Sequence, residues 1–159
     1  MTQLAELTTY IQEQIPRRAN ITFSSEMDDI TLLPAAKNLG NGCLRTQVRQ
    51  YDAVLTWETW PYRLANPDLL FAIIDSWLTI HANGLRDELA LPAPKIDVDV
   101  DDQGNAWLQI TIQMADPLTL REDEHGEILR NGKRYRLDDP DIWIAEHYTI
   151  HPGATDDQG

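Results

Sequence analysis

The order of amphipathic segments predicts an α+β domain: a mainly antiparallel sheet, two helices packed on one face, and an extra C-terminal β-hairpin. Three observations carry that prediction. One segment of helical period opens the chain and a second lies near its middle. Runs that alternate apolar and polar residues fill the rest, and Gly-rich or Asn-Gly pairs interrupt those runs where hairpins would turn. Helices first and middle, with strands mostly next to strands, give an α+β fold with its helices segregated to one face. Residues 1–150 read as one such domain, and residues 151–159, short, polar and rich in Gly and Asp, as a mobile tail.

The first helix follows from Leu4, Leu7, Ile11 and Ile15, which recur at helical spacing before Pro16. A short strand is expected from Ile21 to Leu33, and "LGNGC" then supplies turn chemistry. Cys43 to Trp57 reads as a long strand. Leu44, Thr46 and Val48 share one parity, and Tyr51, Ala53, Leu55 and Trp57 the other, so a bulge or bend is expected near Arg49 and Gln50. The second helix has the clearest boundary signals: Asn66 as N-cap, Pro67 in the first turn, Asp68 facing the helix dipole, and Asn83-Gly84 as the stop. Its body, "LLFAIIDSWLTI", is apolar nearly all round, so more than its sheet-facing side should be covered, within the domain or by another chain. "KIDVDV" and "AWLQITIQM" then form one strand pair. "EILRNGKRYRL" forms a hairpin in which Asn131-Gly132 makes a type I′ turn and sets Ile128 opposite Tyr135. "DIWIAEHYTI" is expected as a final strand.

Composition excludes several classes of function. The 159 residues suit one domain with its own core, and 42% hydrophobic content with five tryptophans argues against disorder. A formal net charge of −13 disfavours generic binding to phosphate backbones or anionic membranes. A single cysteine, Cys43, forbids an intramolecular disulfide or a four-cysteine zinc site. No basic-then-apolar leader opens the chain and its longest apolar run, Leu69 to Ile74, is too short to span a bilayer, which points to a soluble protein made in the cytosol.

The acidic stretch from Asp97 to Asp102 invites a calcium reading. An EF-hand loop needs Gly at its sixth position and Glu at its twelfth. Counting from Asp97 puts Asp102 in the glycine place, and counting from Asp99 ends on Ile110. A hairpin satisfies the pattern instead. With Gln103-Gly104-Asn105 as its loop, Ile96, Val98 and Val100 share a buried face with Leu108, Ile110 and Ile112. Asp97, Asp99 and Asp101 then line the other face, either solvated or meant to repel DNA or meet a basic partner. His147 and His151 lack a third ligand, Ser24-Ser25 lacks a nucleophile-elbow context, and no phosphate-cradling glycine loop is present. The residues therefore point to no enzyme, no metal and no cofactor.

Two clusters are candidates for contacts with other chains. Trp57, Trp60 and Tyr62 in "TWETWPYRL" divide between core packing and an interface, where such aromatics act as anchors. Arg121, Arg130, Lys133, Arg134 and Arg136 make a basic island, either a solvated hairpin or a patch that docks onto an acidic surface of a neighbouring copy.

The stretch "QYDAVLTWETWPYRLANPDLLFAIIDSWLTIHAN" resembles the core of the protein R family, tail completion proteins of temperate phages with contractile tails. Tyr51, Leu69-Leu70 and Trp77-Leu78 sit at matching places, and "IDVDVDDQGNAWLQITIQM" is similar to the family's later hairpin. The resemblance covers roughly Gln50 to Met114. The segments "IHANGLRDELALPAP" and "ADPLTLRED" depart from the family pattern. It implies a structural virion protein at the tail–neck junction, assembled in the host cytoplasm, that caps the head-proximal end of tube and sheath and prepares head–tail joining. It further implies a homohexameric ring touching tube, sheath and a neck or connector protein, with DNA only passing through the lumen, past Asp97, Asp99 and Asp101. The competing functions are a small-ligand or metal-dependent module, or an acidic adaptor for a basic host protein.

Overall fold

The computed structural model describes residues 2–138 and the backbone of residues 148–149. Most of the expected final strand, His147 and His151, and the 151–159 tail lie outside the described residues. Helix α1 (Gln3–Gln14) is capped by Thr2, whose hydroxyl accepts from the Ala5 N–H. Two 18-residue strands follow, β1 (Phe23–Gly40) and β2 (Cys43–Trp60). Next come α2 (Pro67–His81), a single turn α3 (Leu85–Glu88), β3 (Lys95–Val100) and β4 (Ala106–Glu122). The short hairpin β5 (Ile128–Arg130) and β6 (Lys133–Leu137) and the two-residue β7 (Tyr148–Thr149) complete the described fold.

The strands form one antiparallel sheet in the order β5-β6-β4-β2-β1-β7, with β3 paired to the N-terminal half of β4. The fold is therefore the expected α+β type. Helices α1 and α2 cover one face. Leu4, Leu7 and Ile11 of α1, and Leu70, Ile74 and Trp77 of α2, pack on Tyr51, Ala53, Leu55 and Trp57 of β2 and on Leu108, Ile110, Ile112 and Met114 of β4. Residues of one parity on each strand thus make the core, as the pleat requires.

Local chemistry explains the element ends. Asn66 accepts from the Asp68 N–H and Pro67 begins α2, as the sequence predicts. Asn41-Gly42 and Asn131-Gly132 both take positive φ at each residue, the type I′ signature, and Ile128 does pair with Tyr135.

Four expectations need correction. Strand β1 does not stop at Leu33 but runs through Pro34 to Gly40, because its long partner β2 continues to supply hydrogen bonds. The bulge near Arg49 and Gln50 is absent: β2 pairs with β4 without interruption from Gln47 to Trp57. The parity switch instead reflects two cores. Val48 packs with Ala115 and with Leu85 of α3 in a small second cluster, on the side of the sheet opposite Tyr51. The irregularity lies across the ladder on β1, between Asp28 and Thr31, where Asp29 has φ 50°.

The β3–β4 hairpin has the expected parity but a register displaced by two residues. Its loop is Asp102-Gln103-Gly104, closed by the Asp101 N–H bonding to the Asn105 carbonyl, and Gly104 supplies the left-handed φ of 87°. Last, Ile96, Val98 and Val100 are exposed rather than buried, in a strand that among the described residues pairs on one edge alone.

Between β3 and β6 the edge of β4 would be bare, and side chains cover it. Gln3 Nε2 and Asn83 Nδ2 both donate to the Ala115 carbonyl, and Arg86 donates to the Gln113 carbonyl. Capping an open edge in this way blocks unplanned pairing there.

Candidate functional site

The aromatic cluster is mostly interior. Trp57 and Trp60 are fully buried, which corrects their candidacy as interface anchors. Trp57 stacks on Phe23 with ring centroids 4.6 Å apart and meets Trp60 edge-on at 5.9 Å. Each indole N–H has an internal acceptor: Trp57 donates to Asn20 Oδ1 at 2.8 Å, and Trp60 to the Ala65 carbonyl at 2.9 Å. Both therefore stay buried without an unmet donor. Tyr62 is half-buried. Its hydroxyl donates to the Asp101 carbonyl at 3.2 Å, and Arg63 lies over its ring. Tyr62 thereby ties the β2–α2 loop to the tip of the acidic hairpin.

A second buried node joins the start of α1 to the sheet. Asp116 accepts from the Gln3 N–H at 3.1 Å and from the Tyr51 hydroxyl at 2.7 Å, with Arg49 at 3.6 Å. A carboxylate there satisfies an unpaired helix N–H and complements the positive end of the helix dipole. Burial, reinforced by the Asp116 carboxylate, pushes the Tyr51 phenol well above its ordinary range. The phenol is thus held as a proton donor to Asp116, a clamp between β2 and β4. Sequence reasoning missed Asp116 and Asn20, because nothing local shows a partner so many residues away.

The acidic face is wider than the sequence suggests. Cross-strand rows on the side opposite α1 and α2 run Asp28–Asp52–Gln113, then Glu26–Val54–Thr111–Lys95, then Ser24–Thr56–Gln109–Asp97, with Asp99 beside Trp107. Five carboxylates from three strands share this surface with Lys95. The signal was present in the alternation of Glu26, Asp28 and Asp52 with buried neighbours. Asp52 is shifted upward, first by partial burial and then by Asp29 and Asp28, with Lys95 opposing. Asp97 and Asp99 project freely from this face. Asp101 has a different role, because its Oδ1 accepts from the N–H groups of Gln103 and Asn105 and organises the turn.

The basic island is largely neutralised within its own hairpin. Lys133 lies 3.6 Å from Glu122, Arg136 lies 3.4 Å from Asp123, and Arg121 bonds Asp138 at 2.8 Å. Arg134 donates to the Gly126 carbonyl. The side chain of Arg130, on β5, makes no ion pair or hydrogen bond among the described residues. The structure therefore separates the basic candidates: among the described residues the Arg130 side chain is without a partner, and the other four each have one close in sequence.

Apolar side chains remain exposed on α2, where Leu69 and Ile80 are uncovered, and along β3 and at Leu129 of β5. Between α2 and β3, Phe71, Ile74, Pro94, Ile96 and Ile110 line a shallow apolar groove with Asp75 at its rim. Among the described residues no three His, Cys, Asp or Glu side chains cluster as metal ligands, and no helix is long and apolar enough to cross a membrane.

A family model described as P2 phage tail completion protein R (GpR) matches residues 1–140. Among curated proteins, the chain is similar to an uncharacterized 19.2 kDa protein from the rep-hol intergenic region of Haemophilus phage HP1 (strain HP1c1). The two are 28% identical over 145 residues, which cover 91% of this chain and 87% of that relative. No solved structure matches the chain.

Proposed function

The chain belongs to the P2 phage tail completion protein R family, and from that membership we propose that it caps the head-proximal end of the tail tube and sheath as a closed ring of six copies. As a member of a tail completion family it is a structural component of the phage tail, and its place is in the virion. In the proposed role the ring ends tube and sheath polymerisation and presents the finished end to a neck or connector protein.

The observation that carries this reading is the pairing of an acidic sheet face with exposed apolar edges. Leu69 and Ile80 on α2 and Ile96, Val98 and Val100 on β3 are exposed, and contact with other copies or with the tube would cover them. A head-to-tail contact of this kind closes into a ring when its rotation closes. The face bearing Glu26, Asp28, Asp52, Asp97 and Asp99, if turned to the lumen, would let DNA pass without counterion-release binding.

Gold labelling of an epitope at the C-terminus, on particles imaged by electron microscopy, tests the placement. The expected label is a single cluster where tail meets head. Label at the distal end, along the tail, or only on free protein would contradict it.

A further inference from the structure

Two of the sheet's free edges among the described residues, those of β3 and β5, carry side chains that match. Strand β3 pairs only with β4 among the described residues, so its other edge offers unpaired backbone N–H and C=O groups. One face of β3 carries Ile96, Val98 and Val100, all exposed, and the other carries Asp97 and Asp99. Among the described residues strand β5 pairs only with β6, which leaves its other edge free. Its Leu129 is 65% exposed, and the next residue, Arg130, points to the opposite face without an internal partner among the described residues. Free edges like these are templates for pairing with another strand.

We propose that β5 of one copy adds to the free edge of β3 in the next copy, joining the subunits by strand pairing. Alternation of side chains fixes which way β5 must face. With Leu129 on the helix side, it lies beside Ile96 and Val98 and over the apolar groove bounded by Phe71 and Pro94. Arg130 then falls on the acidic side, against Asp97 and Asp99. The reverse facing would put Leu129 among carboxylates and Arg130 on aliphatic surface. Backbone pairing supplies the attraction, and the alternating pockets and charges supply selectivity, as in other strand-addition contacts. The joint is heterologous, since β3 and β5 are different edges, so each copy has one of each to offer. Its charged half should weaken with added salt.

The inference rests on the ring reading above and specifies the contact within it. The experiment places cysteines at Val98→Cys and Leu129→Cys together, with the two single variants as controls, in tails purified from phage complemented in trans. Residues opposite each other on adjacent strands have Cβ atoms about 4.5–5.5 Å apart. A short thiol cross-linker should therefore convert the double variant into a ladder of covalent oligomers, while neither single variant gives more than a dimer. If the double variant is found in tails at normal amounts but stays uncross-linked, the β3–β5 contact is wrong and the capping role stands. If cross-linked oligomers form in solution while the chain is absent from tails, the contact stands and the capping role is wrong. A charge exchange gives an independent reading. Arg130→Asp should reduce the cross-link at least several-fold, and adding Asp97→Arg with Asp99→Arg should restore it; failure of the restoration in folded protein would remove Arg130 from the contact.

Discussion

The Tyr51 hydroxyl donates to Asp116 Oδ2 at 2.7 Å, joining the middle of β2 to the distal half of β4 directly beneath the first turn of α1. Because the acceptor is a buried carboxylate, the bond belongs to the stronger class, worth about 1.5–3 kcal/mol. Tyr51→Phe keeps the ring in the core and removes that bond, the weaker contact with Met114 Sδ and the acceptor used by the Leu4 N–H. Urea unfolding of the variant should show a loss within that range. A loss below about 0.5 kcal/mol would mean that Asp116 is held by Gln3 and Arg49 alone.

Trp60 provides the sharpest separation between core and interface. Its ring is fully enclosed by the same subunit, so Trp60→Ala should cost about 3–5 kcal/mol as a large buried truncation. Thermal unfolding of the dilute protein measures this. A near-neutral result would return Trp60 to the surface.

These two sites also show what the sequence could and could not disclose. Asn66-Pro67 and Asn131-Gly132 fixed a helix start and a hairpin register because the determining chemistry is local. The fate of Trp57 was not local: its indole finds Asn20, 37 residues earlier, and a tryptophan's partner decides whether it faces inward. The same holds for Asp116, which lies on β4 and accepts from the Gln3 N–H at the start of α1. The parity switch at Val48 was visible but ambiguous, since a bulge and a second small core give the same pattern. The acidic face was half legible, because its hairpin contribution is contiguous whereas Glu26, Asp28 and Asp52 come together only through pairing.

Asp52 gives the pH prediction. Its pKa in the folded protein is raised, chiefly by partial burial and then by Asp29 and Asp28. From the unfolded carboxylate pKa up to the folded value, the native state binds more protons than the unfolded state. The contribution of this group to stability therefore falls as pH rises through that window, and the penalty is fully present above it. Asp52→Asn removes the penalty. The variant should melt above the parent at pH 7, with an advantage that vanishes once pH drops below the ordinary carboxylate range. An advantage that is constant with pH would contradict the electrostatic cause.

The acidic strand should be dispensable for folding. Asp97 and Asp99 are exposed, and Asn at position 101 keeps the oxygen that accepts from Gln103 and Asn105. Changing Asp97, Asp99 and Asp101 together to Asn should alter stability by no more than about 1 kcal/mol in chemical denaturation. Asp101→Ala alone should cost more than the triple Asn variant, since it leaves the turn without its acceptor.

The capping role itself is tested most directly by the length distribution of tails assembled when this chain is withheld and then resupplied from a plasmid, measured by electron microscopy. The account predicts tails of irregular length that do not join heads in its absence, with uniform, head-joined tails restored on resupply. Tails of normal length joined normally to heads without the protein would contradict it.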